Sequence, residues 1–93
     1  MNRLTIKTDG SKHYMTGSQT VVKCEMGYEG EAIDRLAMYE NVYEALIEKY
    51  ENTIKEMEKL RKHNKTKTVM FKQLLVDKVS TKNMIMMFDI YGI

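Results

Sequence analysis

His13, Cys24 and His63 are the side chains of this chain best suited to hold a soft metal ion. They show none of the short spacings that zinc sites use, so no metal site is expected. Cys24 could act as a nucleophile only with a base beside it, and no signature supplies one; after an apolar strand it reads as a small hydrophobe. Glu40, Glu44 and Glu48 recur every four residues and could grip a divalent cation or a basic partner. With nothing apolar nearby to tune them for proton transfer, they read as a solvated acidic face. The five glycines form no phosphate-binding loop. No catalytic residue, metal or cofactor is expected, and the chain reads as a non-enzyme.

Binding chemistry is better represented. Tyr39, Tyr43 and Tyr50 share one helical stripe and combine an apolar ring with a polar tip, as partner-binding surfaces do. They could meet a partner protein or stack on a nucleobase; the same spacing also suits ordinary core packing. Lys59, Arg61, Lys62, His63, Lys65, Lys67 and Lys72 form a basic segment. Arg61, Lys62, Lys65 and Lys67 are the candidates for contacting acidic groups. Together with Tyr39, Tyr43 and Tyr50 they make up the expected partner or ligand site. An alternative is duplex DNA, with the two C-terminal helices as a helix-turn-helix. The would-be reading helix, Lys82 to Tyr91, argues against that. It is apolar nearly all round and should be buried, or serve as an interface.

These residues must be positioned by one long helix, expected from Gly30 to His63. Ala32, Leu36, Tyr39, Tyr43, Leu46, Tyr50, Thr53, Met57 and Leu60 recur at heptad spacing, and Ile33, Ile47 and Ile54 widen the stripe. At about 1.5 Å per residue such a helix spans roughly 48 Å, more than the rest of so short a chain should cover. The stripe is therefore expected to pair with a second copy, with Leu36, Leu46, Ile47, Ile54, Met57 and Leu60 as the oligomer interface. Residues 29–51 carry seven acidic against two basic side chains, a balance of −5; residues 52–78 carry eight basic against three acidic, a balance of +5. Antiparallel pairing would set opposite charges together, giving an antiparallel dimer or a larger closed assembly. The gradient also suits the dipole of a single helix, with Glu31 and Asp34 at its start and Lys59, Arg61 and Lys62 at its end. Glu31–Arg35, Glu51–Lys55 and Glu58–Lys62 are expected i,i+4 ion pairs, and Asn64 the helix stop.

Ahead of this helix, residues 1–28 read as a three-stranded antiparallel β meander. Its strands are Leu4 to Thr8, His13 to Thr16 and Thr20 to Cys24, with turns at Asp9-Gly10 and Gly17-Ser18. Gly27 to Gly30 breaks the strand pattern. Behind the helix, Thr68 and Ser80 read as N-caps of two short helices within residues 68–92, and Gly92 as the final stop. The expectation is a single α+β domain over residues 1–93.

The chain has 93 residues, 43% hydrophobic and 30% charged, which suits a folded protein; small size makes oligomerisation a natural remedy for a modest core. A net charge of +2 does not by itself imply nucleic acid or membrane. One cysteine excludes an intrachain disulfide, and no signal peptide or membrane span is visible, so a cytoplasmic location is expected. The segment Glu31-Ala32-Ile33-Asp34-Arg35-Leu36-Ala37-Met38-Tyr39-Glu40-Asn41 resembles a helix found in short phage and prophage accessory proteins of unassigned function. There it follows a small β element. The stretch Lys65 to Leu75 and the ending Ile90-Tyr91-Gly92-Ile93 share the resemblance. What it implies is a mobile-element accessory protein in the cytoplasm of an infected or lysogenic host. Such proteins often inhibit a host defence system, by blocking a defence protein or sequestering a signalling nucleotide. A DNA-binding regulator and a small virion assembly protein are the alternatives.

Overall fold

The computed structural model describes residues 1–9 and 12–92. Four short strands precede two helices, an α+β order: β1 (Thr5–Lys7), β2 (Tyr14–Thr16), β3 (Val22–Cys24), β4 (Gly27–Glu29), α1 (Glu31–Lys62) and α2 (Val69–Ile90). The chain divides into two compact units, Met1–Glu40 and Asn41–Ile93, and α1 begins in the first and ends in the second.

In the first unit the expected meander is replaced by two separate antiparallel hairpins. β1 pairs with β2, Ile6 opposite Met15, and β3 pairs with β4, Lys23 opposite Tyr28. Residues 27–29, read from sequence as a break, are therefore a strand. The two-residue turn at Glu25-Met26 carries no turn signature, so this hairpin leaves no mark in the sequence. The Asp9-Gly10 turn extends outside the described residues; beside it, the Thr8 N–H donates to the His13 carbonyl at 3.1 Å. β2 and β3 do not pair because the chain between them turns away. The Thr20 N–H closes on Gly17 O at 3.0 Å, and Thr20 O then accepts from Ala32 N at 3.1 Å, capping the start of α1. Gly30 makes that approach feasible. Its φ is +137°, and a Cβ there would lie 2.2 Å from Thr20 O. Glu31 and Asp34 occupy the first turn, as expected. Arg35 pairs with Glu31 at 3.9 Å and donates to Asn2 O, and the Tyr39 hydroxyl reaches Met1 Sδ at 3.5 Å, tying the N-terminal segment to the helix.

The second unit is an antiparallel helical hairpin. α1 stops at Asn64, as expected. Asn64 takes a left-handed φ of +56°, and Lys65 N–H reaches back to Leu60 O at 2.8 Å, satisfying a terminal carbonyl. Thr68 caps α2 by accepting from Phe71 N at 3.2 Å, and Gly92, at φ +85°, follows its end. The second expected cap, Ser80, lies in mid-helix: the two short helices are one helix of 22 residues. No glycine or proline interrupts residues 69–90, and a hydroxyl residue alone does not break a helix that packing supports.

Three contacts set the register. Tyr43 lies edge-on to Phe88 with centroids 5.6 Å apart, Lys82 Nζ sits 5.4 Å from the Tyr50 ring, and Arg61 stands 5.6 Å from the Phe71 ring. The paired numbers add to 131 or 132 each time, so Leu46 is level with Ile85 and Met57 with Leu74. Thr53, Met57, Thr81 and Ile85 are buried, Met57 only 2% exposed and Ile85 4%. The stripe Tyr43, Leu46, Tyr50, Thr53, Met57 and Leu60 thus meets a second stripe, Phe71, Leu74, Lys78, Thr81, Ile85 and Phe88, whose spacing is also alternately three and four. In this half of α1 the heptad pattern pairs with α2 of the same chain, in the antiparallel sense.

Met57→Ala should lower unfolding stability by about 2–4 kcal/mol in urea titrations followed by circular dichroism, through lost burial and a cavity. Met26→Ala, at a 98% exposed turn residue, should change it by less than about 0.5 kcal/mol. Gly30→Ala should release the Ala32–Thr20 contact, seen as faster amide exchange at Ala32 with protection of residues 69–90 retained.

Candidate functional site: the basic turn of the helical hairpin

Antiparallel packing brings the end of α1 and the start of α2 to one place, and with them the basic segment. Residues 59–72 hold Lys59, Arg61, Lys62, Lys65, Lys67 and Lys72 with no carboxylate between them. Glu56 pairs with Lys59 at 3.1 Å, and Arg61 rests its guanidinium over Phe71. Lys62, Lys65 and Lys67 are exposed, and no ion pair among the described residues includes them. Of the expected i,i+4 pairs only Glu31–Arg35 forms; Lys62 does not engage Glu58, nor Lys55 Glu51. The carbonyl end of α1 helps to hold this positive charge.

Tyr43 and Tyr50 are not gathered with these cations. Tyr39 belongs to the first unit. Tyr43 and Tyr50 are half-buried against α2, each with one ring contact already made. Tyr43 donates its hydroxyl proton to Asp89 Oδ1 at 3.3 Å. The negative Asp89 carboxylate holds the Tyr43 phenol above its ordinary pKa of 10.0, with smaller contributions from desolvation and from the hydrogen bond.

Of the expected oligomer interface, Met57 is buried and Leu46, Ile47, Ile54 and Leu60 are half-buried within a single copy; Leu36, in the first unit, is 55% exposed. The Glu40, Glu44 and Glu48 stripe is exposed. An open groove of about 360 Å³ runs along α1 past Glu48, Asn52 and Glu56 to Leu74 of α2. The Thr53 hydroxyl in its wall already donates to Lys49 O at 2.8 Å. Among the described residues no cluster of three His, Cys, Asp or Glu side chains could hold a metal ion, and no helix is long and apolar enough to cross a membrane. The helix-turn-helix arrangement fails on geometry, because α2 has no turn between residues 69 and 90. Residues 82–91, expected to be buried or to serve as an interface, are not all buried within the chain: Met84, Met86, Met87 and Ile90 are exposed, because α1 covers only one side of α2.

Asp89→Asn should bring the Tyr43 titration down toward the ordinary phenol value, read from phenolate absorbance. The raised phenol pKa means the folded state holds its proton more tightly than the unfolded chain. That contribution to stability is present below pH 10 and lost as pH rises through the folded value. Asp89→Asn should flatten the alkaline loss. Comparison of the chain with protein families, curated proteins and solved structures returns no match.

Proposed function

We propose that this chain is a non-enzymatic binding protein whose helical hairpin presents a basic turn to an acidic partner. The supporting observation is that turn: six Lys and Arg side chains within residues 59–72, no carboxylate among them, and Lys62, Lys65 and Lys67 exposed without an ion pair. Like charges held this close repel one another and lower the stability of the free protein; an acidic surface relieves the repulsion and is drawn in by it. In the setting implied by the resemblance of residues 31–41, the protein is a phage or mobile-element accessory factor in the host cytoplasm. Its acidic counterpart is then a component of a host defence system, a protein surface or a signalling nucleotide. Arg61, Lys62, Lys65 and Lys67 make the contact. Tyr43 and Tyr50 serve the hairpin, not the ligand.

The test is capture from host lysate by immobilised protein, with native mass spectrometry for retained small molecules. The wild type should hold an acidic protein or a nucleotide. Lys62→Glu with Lys65→Glu should weaken that binding about ten-fold or more without loss of helicity. Equal capture by the double variant removes the basic turn from the account. Binding to duplex DNA that falls steeply with added salt would replace this reading with a DNA-binding one.

A further inference from the structure

The basic turn carries an apolar tip that its charge does not explain. Val69 and Met70 open α2, and they are 84% and 63% exposed. Cβ atoms in a helix tilt toward its N-terminus, so these two side chains lean out past the start of α2, toward the turn. Lys65, Lys67 and Lys72 flank them in the chain, and all three are exposed. The hairpin itself does not require an apolar pair there. Thr68 already caps the helix, accepting from Phe71 N at 3.2 Å, and the seam with α1 starts at Phe71. A polar pair would serve the helix start equally well and would suit water better.

We propose that this tip docks on an anionic lipid surface, with Val69 and Met70 entering the interfacial layer and Lys62, Lys65, Lys67 and Lys72 lying against the headgroups. The proposal rests on the basic-turn reading for its charge and names a further acidic partner for that turn. Charge complementarity comes first. Residues 59–72 hold six cations and no carboxylate, and each Lys or Arg close to an anionic membrane strengthens attachment. Five of the six are lysines. A lysine is a point charge on a flexible stem with no bidentate geometry to satisfy, which suits a fluid array of headgroups. Its stem can lie along apolar surface while the ammonium stays in the polar layer. The aliphatic pair supplies the second signal. One weak signal gives only marginal attachment, and a basic patch joined to an apolar insertion reinforces it. A nucleotide would find no free ring at the turn for its base: Phe71 lies under Arg61, while Tyr43 and Tyr50 are engaged along the hairpin. A folded acidic protein would need a pocket shaped for Val69 and Met70, whereas a bilayer accepts two aliphatic side chains without one.

Two measurements test this. The first is co-sedimentation with phosphatidylcholine vesicles, with and without about one-third phosphatidylglycerol. The wild type should bind the anionic vesicles at least about ten-fold more tightly than the neutral ones, and added salt should weaken that binding. Val69→Ser with Met70→Ser should weaken it about ten-fold or more while circular dichroism stays helical. Equal binding by this double variant overturns the proposal, because charge alone would then account for attachment. The second uses the absence of tryptophan from the chain: Met70→Trp supplies a single reporter. Its emission should shift to the blue with anionic vesicles and stay unshifted with neutral ones. An unshifted emission with anionic vesicles, or a wild type that ignores them, overturns the proposal and leaves the basic-turn reading to its own lysate test. A wild type that binds anionic vesicles with insertion of the tip, yet captures no soluble acidic protein or nucleotide, supports the lipid surface and retires the soluble partner.

Discussion

Everything in the second unit depends on one antiparallel seam, the meeting of two heptad stripes between residues 43–60 of α1 and 71–88 of α2. Few side chains are fully out of water here: Met57 and Ile85 at the centre, with Thr53 and Thr81 beside them. A core this small leaves little margin, so the edges of the seam matter. Tyr43 against Phe88 closes one end and Arg61 over Phe71 the other. The two caps of the turn, left-handed Asn64 and the Thr68 hydroxyl, hold the helices at the angle the seam needs.

The seam also decides where the charge goes. Folding α1 back on α2 places the basic end of one helix next to the basic start of the other. That sets like charges side by side, which costs stability. Glu56 offsets one of these charges through Lys59 at 3.1 Å, whereas Asp77 on α2 accepts from Gln73 at 3.1 Å and Asp89 from Tyr43. Asp89 sits in the last turn of α2, where a negative charge is unfavourable and no basic residue offsets it. Its hydrogen bond to Tyr43 is the compensating interaction.

The first unit rests on a different constraint, the close passage of Thr20 over the start of α1. Two hairpins with short strands are marginal by themselves. The Thr20 carbonyl gives one of the helix's unpaired N–H groups an acceptor, and only a residue without Cβ fits at position 30. The turn residues were visible in the sequence. That they would divert the chain to the helix, and not toward a third strand, was not, because the Ala32–Thr20 contact joins residues twelve apart.

Local chemistry was enough to locate α1 nearly to its ends, the stop at Asn64, the cap at Thr68 and the stop at Gly92. Each rests on the local preference of one residue, left-handed backbone at Asn64 and Gly92 and a capping hydroxyl at Thr68. The heptad stripe of α1 was equally legible, since periodicity is a property of the chain alone. Its partner was not. A stripe states that something apolar must face it, and α2 of the same chain met that need for residues 43–60. The merger of two short helices into one and the exposure of Met86, Met87 and Ile90 were likewise decided only in three dimensions. Helix length and side-chain exposure depend on what packs alongside, and a residue's own neighbours in sequence carry no record of it.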